Sequence, residues 1–266
     1  MLNNLIIIAS AATIALFSAR WNWWRTKAKG LPVLMYHKIG RPPKNSKFKK
    51  LWVSPKKFER QINYLIKHKF TPINFSDLNN PEKLPKKPVL ITFDDGYKDN
   101  YKVAYPILKE KNAKANIFLA YESIGKHNRW HNPDEEHWLP MLTWDEIKQM
   151  TDEGLIEFGA HTLNHINLTE VDTETAKWEI EECKHRLEQK LNHPVCAFAY
   201  PYGAGAYDKE IRQLVLDAGF QFDFGIKQGI TLLAQNRDYP FKRLLIRGDD
   251  NLLDFHLNVT RGKARF

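Results

Sequence analysis

Cysteine is scarce in this chain: Cys183 and Cys196 are the only two among 266 residues. The first lies in a helical pattern and the second in an apolar, strand-like run. Their spacing makes neither a disulfide framework nor a metal site. They read as buried or idle thiols, and cysteine usage leaves the compartment open. Also missing are zinc-finger spacings, RNA-binding aromatic motifs and long arginine-rich helices, so nucleic acid is not an expected partner despite a formal charge of +9. No internal repeat, low-complexity tract or interdomain linker interrupts the sequence. The apolar run from Leu5 to Ala19 is shorter than the ~20 residues a membrane span usually needs.

No Lys or Arg precedes that run, and Phe17 and Ala19 would make a poor cleavage pair, which argues against a signal peptide. Trp21, Trp23 and Trp24 follow, with Arg20 and Arg25 among them, and such residues can extend a short span at the interface. The expectation is an uncleaved anchor and basic juxtamembrane segment over residues 1–29 in the inner (cytoplasmic) membrane. Positive charge after the anchor would keep the domain over 30–266 on the cytoplasmic side, with an extracytoplasmic placement as the alternative. The cluster of Arg20, Arg25, Lys27, Lys29, Lys38, Arg41, Lys44, Lys47, Lys49 and Lys50 suits phospholipid headgroups.

From Gly30 onward, short apolar runs alternate with amphipathic stretches. Val33–Tyr36, Val89–Phe93, Asn116–Ala120, Leu155–Ala160, Val195–Tyr200, Phe222–Ile226 and Leu244–Ile246 are rich in Val, Ile, Phe and Leu. Several lack polar alternation, as strands buried on both faces do. Helical signals stand between them. Ser54-Pro55 caps a stretch carrying Phe58, Ile62, Leu65 and Ile66, Thr143 and Glu146 form a capping-box pattern, and Glu174–Lys190 and Tyr207–Ala218 are amphipathic. Strand and helix alternating about seven times predict an α/β fold with a parallel, barrel-like sheet. Arg41–Lys50 and Gly125–Pro140 read as long loops, the second holding His127, Trp130, His131, His137 and Trp138. Active sites of such folds lie at the C-terminal ends of the strands.

Three such ends carry candidate chemistry. Thr92-Phe93-Asp94-Asp95-Gly96 follows an apolar run; adjacent carboxylates diverge in extended geometry, so one could bind a metal while the other acts as base, or the triplet is only a polar turn. His161 and His165 lie four apart, on one face of a helix or compact turn, and can share a metal; with a carboxylate they leave open positions for water and substrate. In Tyr200-Pro201-Tyr202-Gly203, Pro and Gly can fix a loop so that the Tyr202 N–H faces an oxyanion, or the loop is only structural.

Together these segments resemble the polysaccharide deacetylase family of carbohydrate esterases, the NodB homology domain, across Leu31 to Ile246. The resemblance implies a distorted (β/α) barrel, a divalent metal on Asp95, His161 and His165, and Asp94 as catalytic base. Such a donor set suits zinc, but also cobalt, nickel or iron. Two departures stand out: Ala199 occupies the place of the family's third-motif arginine, and Leu244–Asp249 lacks the C-terminal histidine acid, His256 coming only later in a helical stretch. The poly-N-acetylglucosamine deacetylase-like subgroup opens with a strand ending Met-Tyr-His, and Leu34-Met35-Tyr36-His37 matches it, which by resemblance makes His37 the general acid. Arg243 and Arg247 are the candidates to replace the missing arginine. The implied activity is metal-dependent hydrolysis of the N-acetyl group of an N-acetylhexosamine. The anchor and basic cluster favour a lipid-phosphate-linked sugar used in lipid A or envelope glycan modification. Exported poly-N-acetylglucosamine is the alternative, and a non-catalytic sugar-binding module the reading from another class.

Overall fold

The structure, a computed structural model, describes residues 2–134, 136–233 and 238–265. Its strands are β1 (Val33–Tyr36), β2 (Lys38–Ile39), β3 (Trp52–Val53), β4 (Thr71–Ile73), β5 (Pro88–Phe93), β6 (Ala115–Leu119), β7 (Ile156–Ala160), β8 (Ala197–Ala199), β9 (Phe222–Gln228) and β10 (Phe241–Leu245). The helices are α1 (Leu2–Arg20), α2 (Pro55–Lys67), α3 (Tyr105–Glu110), α4 (Trp144–Asp152), α5 (Thr173–Leu191), α6 (Lys209–Asp217) and α7 (Leu252–Arg261).

The seven apolar runs become seven parallel strands in the ring β1-β10-β9-β8-β7-β6-β5, closed by pairing of β1 with β5. The expected α/β barrel is what forms, and its distortion has a local cause. Strand β5 is shared along its length: Pro88–Leu90 pair with β4, whereas Thr92 and Phe93 pair with β6. Asn116 sits fully buried at the fork. Its amide donates to the Ile73 and Ile91 carbonyls, and its oxygen accepts from the Phe75 N–H, so these three backbone groups at the fork are paired.

Period-two alternation decides what enters the barrel. Val89, Ile91 and Phe93 of β5 join the core cluster that holds Phe58, Ile62 and Leu65 of α2, while Leu90 joins Val33, Phe118, Phe224 and Phe241 in the second cluster, inside the ring. The same parity carries Thr92 and Asp94 inward. Helix starts follow the expected chemistry: Ser54 caps α2, and Thr143 with Glu146 closes a capping box at α4. The short strands β2, β3 and β4 and the helix α3 carry too few apolar residues to be legible as periods. Both cysteines are buried and free.

The expected membrane anchor is not supported. Among the described residues no helix is long and apolar enough to cross a membrane. The reason is compositional: the 19 residues of α1 include Asn3, Asn4, Ser10, Thr13, Ser18 and Arg20 among their apolar neighbours, whereas a span needs about 20 predominantly apolar residues. The inner-membrane placement, and the cytoplasmic orientation deduced from it, fall with the anchor. The segment after α1 instead makes contacts with the chain's other end. Trp21 Nε1 donates to Asp254 at 2.8 Å, the Asn22 N–H to the Ala264 carbonyl and the Ala28 N–H to the Thr260 carbonyl.

Candidate metal centre and active site

Strand β5 delivers Asp94 at its C-terminal end, where its N–H still donates to the Tyr36 carbonyl of β1 at 2.9 Å. Asp95 and Gly96 then adopt left-handed backbone, φ 76° and 84°. A side chain at Gly96 would meet Leu119 Cδ2 at 2.8 Å, so glycine is required there. This reversal brings both carboxylates into the cleft with different partners. Asp94 Oδ1 accepts from Arg243 Nη1 at 2.6 Å, and its Oδ2 lies 3.9 Å from His37 Nε2. Asp95 Oδ1 lies 3.1 Å from His165 Nε2 and 3.4 Å from His161 Nε2.

The two histidines follow β7. No helix aligns them: Thr162 and His165 take left-handed φ of 60° and 58°, and this compact turn folds one ring back beside the other, 5.0 Å apart. His161 Nδ1 lies 2.7 Å from the Ala199 carbonyl. A carbonyl only accepts, so Nδ1 carries the proton and the Nε2 lone pair faces Asp95. One ligand atom each from Asp95, His161 and His165, all buried, lie within 4.8 Å of one another. A carboxylate oxygen with two imidazole nitrogens is a donor set for a hydrolytic divalent cation.

The electrostatics agree with that use. Burial alone would push the Asp95 carboxyl up, but His165, His161 and His37 overcome it and hold it well below the usual carboxylate range. Burial lowers the His165 imidazole below its ordinary value despite the opposing pull of Asp95. An ionised carboxylate and a neutral imidazole are the forms that bind metal. For Asp94, burial also pushes upward, and Arg243, His37 and His161 outweigh it, leaving the carboxyl below its ordinary value. Burial depresses the His37 imidazole, with Asp94 and Asp95 pulling the other way.

Aromatic rings wall the cleft. Trp130 stacks on His165 with centroids 4.1 Å apart and planes 17° apart, and Tyr202 meets His165 edge-on at 4.9 Å. Tyr202 lies in the turn Pro201–Gly203 with φ 58°. A side chain on Gly203, the next residue, would strike Ile226 Cγ1 at 2.4 Å. The loop carrying Trp130 is held down by Glu136, which accepts from Ser46 Oγ at 2.8 Å and the Lys47 N–H at 2.9 Å, and by His131 against Phe48.

All six residues read from the sequence, Asp94, His37, Tyr202, Asp95, His161 and His165, meet in this cleft. Between the two candidate arginines the structure chooses Arg243: its side chain is fully buried inside the barrel on the Asp94 carboxylate, whereas Arg247 pairs with Asp249 at the surface. Phe241 and Arg243, two apart on β10, share the inward face, whereas Arg247 lies beyond the strand's end at Leu245. His256 is elsewhere, bonded through Nδ1 to the Tyr64 hydroxyl. Sequence reading passed over Tyr97 and the role of Lys38. The Lys38 ammonium is buried over the Tyr97 ring at 4.7 Å and the Trp52 ring at 5.5 Å. Hydropathy gives no warning of a buried lysine.

The family model described as Polysaccharide deacetylase matches residues 82–222. The chain is 32% identical to YxkH of Bacillus subtilis (strain 168) over 222 residues, covering 81% of this chain and 70% of that one. It is 30% identical to the poly-beta-1,6-N-acetyl-D-glucosamine N-deacetylase of Staphylococcus aureus (strain MRSA252), over 74% of this chain and 68% of that one. Among solved structures, the Streptococcus pyogenes deacetylase PplD in complex with acetate superposes with a TM-score of 0.70 at 27% identity, covering 84% of this chain and 95% of that one. Domain match, sequence identity and barrel superposition converge: this chain belongs to the polysaccharide deacetylase family and is a hydrolase of N-acetyl amide bonds.

Proposed function

We propose that this enzyme removes acetyl groups from N-acetylglucosamine units within a poly-β-1,6-N-acetylglucosamine chain. The observation carrying the reading is the juxtaposition of a charge-clamped Asp94, 2.6 Å from Arg243, with the Asp95-His161-His165 donor set. Similarity to a relative named for that polymer favours it over the lipid-linked sugar. The lipid-linked alternative drew on a spanning anchor, and no helix among the described residues is long and apolar enough to be one.

A divalent cation held by Asp95, His161 and His165 would supply Lewis acidity to the acetyl carbonyl and to the attacking water. Asp94, kept ionised by Arg243, accepts the water's proton as general base. The Tyr202 N–H, presented from its left-handed turn, donates to the developing oxyanion. His37 delivers a proton to the departing amine nitrogen. Burial lowers its imidazole below the ordinary value against the pull of Asp94 and Asp95, which eases release of that proton. Asp94 Oδ2 lies 3.9 Å from Nε2, so passage of the water's proton between them needs one bridging water or a closer approach. Acetate then leaves and the sugar keeps an amine that is cationic at neutral pH.

The test is acetate release by the metal-loaded enzyme from a β-1,6-linked N-acetylglucosamine oligomer, run beside an undecaprenyl-phosphate-linked N-acetylhexosamine. Release from the oligomer alone is expected. Release from the lipid-linked sugar alone would overturn the polymer reading, and release from neither by a metal-loaded protein would favour a binding module.

A further inference from the structure

Two grooves flank His165, one lined by it and the other by Trp130, which stacks on it. One, of about 520 Å³, is lined by His165, Ile166, Asn167, Glu170, Val171 and Tyr202. The other, of about 320 Å³, includes Lys126, Arg129, Trp130 and Asn164. Both volumes fall within the usual span of ligand clefts, ~300–1,000 Å³. Trp130 borders one and Tyr202 the other, and both rings touch His165, so a chain laid across the metal donors would run from one into the other.

The grooves differ in charge. In the first, Glu170 is the one ionisable group besides His165 and Tyr202. The Asn167 amide donates to Glu170 Oε1 at 2.8 Å and so orients the carboxylate. Tyr202 leaves 52% of its surface open there, an aromatic wall of the kind that receives a sugar ring. In the second groove, Lys126 pairs with Glu122 and Arg129 lies over Trp138.

An acetylated sugar is neutral, and the reaction itself creates the cationic one. Resting on the polymer reading above, we propose that the groove between Tyr202 and Glu170 is a subsite for a sugar unit already bearing a free ammonium, so that the enzyme prefers N-acetyl units neighbouring a deacetylated one. The carboxylate attracts that ammonium while the Tyr202 ring takes the sugar's apolar face. The preference makes successive cleavages along one chain favourable, and makes fully deacetylated chains competitive ligands.

The experiment compares binding of two probes by calorimetry to the metal-loaded Asp94→Asn protein, which keeps the metal donors and lacks the base so that the acetylated probe is not consumed. The probes are a β-1,6-linked glucosamine tetramer and its fully N-acetylated counterpart, with the Glu170 variants made in the same background. An exposed ion pair supports a change of about three- to fivefold. Glu170→Gln should therefore lower the affinity ratio of amine over acetyl tetramer by about that factor, and Glu170→Lys by more. Raising salt should erase the preference shown by the Asp94→Asn protein with Glu170 intact, since an exposed pair is screened. An affinity ratio unchanged in both variants would overturn the proposal. Acetate release from the acetylated oligomer reports separately on the polymer reading, because the binding ratio is measured without turnover.

Discussion

Two arginine–aspartate pairs that involve the neighbouring strands β9 and β10 have opposite characters. On β9, Asp223 is held by Arg212 of α6 through Nε at 2.8 Å and Nη2 at 3.2 Å, and by the Tyr200 hydroxyl at 3.0 Å; Arg212 Nη1 also reaches the Asp238 carbonyl. Both carboxylate oxygens of that pair are satisfied. On β10, Arg243 reaches Asp94 through Nη1 and the Gly225 carbonyl through Nε, but its Nη2 is buried with no partner among the described residues, as are His37 Nδ1 and His165 Nδ1 nearby. A buried polar atom without a partner costs about 1–3 kcal/mol. The first pair is closed and fastens a helix to the barrel wall; the second is left open where a substrate must be received.

The largest break in that comparison should come from the open pair. Asp94→Asn preserves shape while removing the base, and steady-state acetate release should fall about 10²–10⁴-fold with metal content unchanged. Retained turnover in a folded, metal-loaded variant would sink the assignment. Arg243→Met should follow: it strands a buried carboxylate, so chemical denaturation should show a loss of about 3–5 kcal/mol together with loss of activity. Arg212→Met sharpens the contrast. Its partner keeps the Tyr200 hydroxyl and Arg212 is only partly buried, so a smaller loss of about 1–3 kcal/mol is expected, with kcat retained. Equal activity losses in the two arginine variants would erase the distinction.

A weaker effect concerns pH. Burial pushes the Asp99 carboxyl up to about 7, against the pull of the Ile39 N–H, Lys38 and Asn100. A carboxyl raised on folding binds more protons in the folded state between its unfolded value near 4 and about 7. Its contribution to stability is therefore full below that window and declines as pH rises through it. Asp99→Asn should flatten this part of the pH–stability curve relative to the parent, measured by thermal unfolding between those values. An unchanged difference across the window would count against the burial argument.

Much of the site was legible because it lies where local pattern and topology coincide. Strands β1, β5, β7 and β8 announce themselves by apolar runs, and His37, Asp94, His161 and Tyr202 stand just beyond their ends. The lysine between Trp52 and Tyr97 was not legible, because its burial depends on β2 and β3 meeting across a segment that reads as loop. The leader was misread for a related reason: apolar character was visible, but length and interspersed polar residues decide whether a helix can span.

By itself the sequence determined the parallel barrel, through two-sided apolar strands, and the acid and histidine set, through motifs placed at strand ends. Only the tertiary structure decided which arginine serves Asp94. Arg243 and Arg247 lie four apart and share a parity, so alternation alone does not separate them; β10 ends at Leu245, which leaves Arg243 inside the closed ring on Asp94 and Arg247 beyond the strand, paired with Asp249. Closure likewise joins groups from β1, β5, β7 and β10 around one cleft. Such contacts between distant segments leave no local periodicity, so they exist only once the ring is shut.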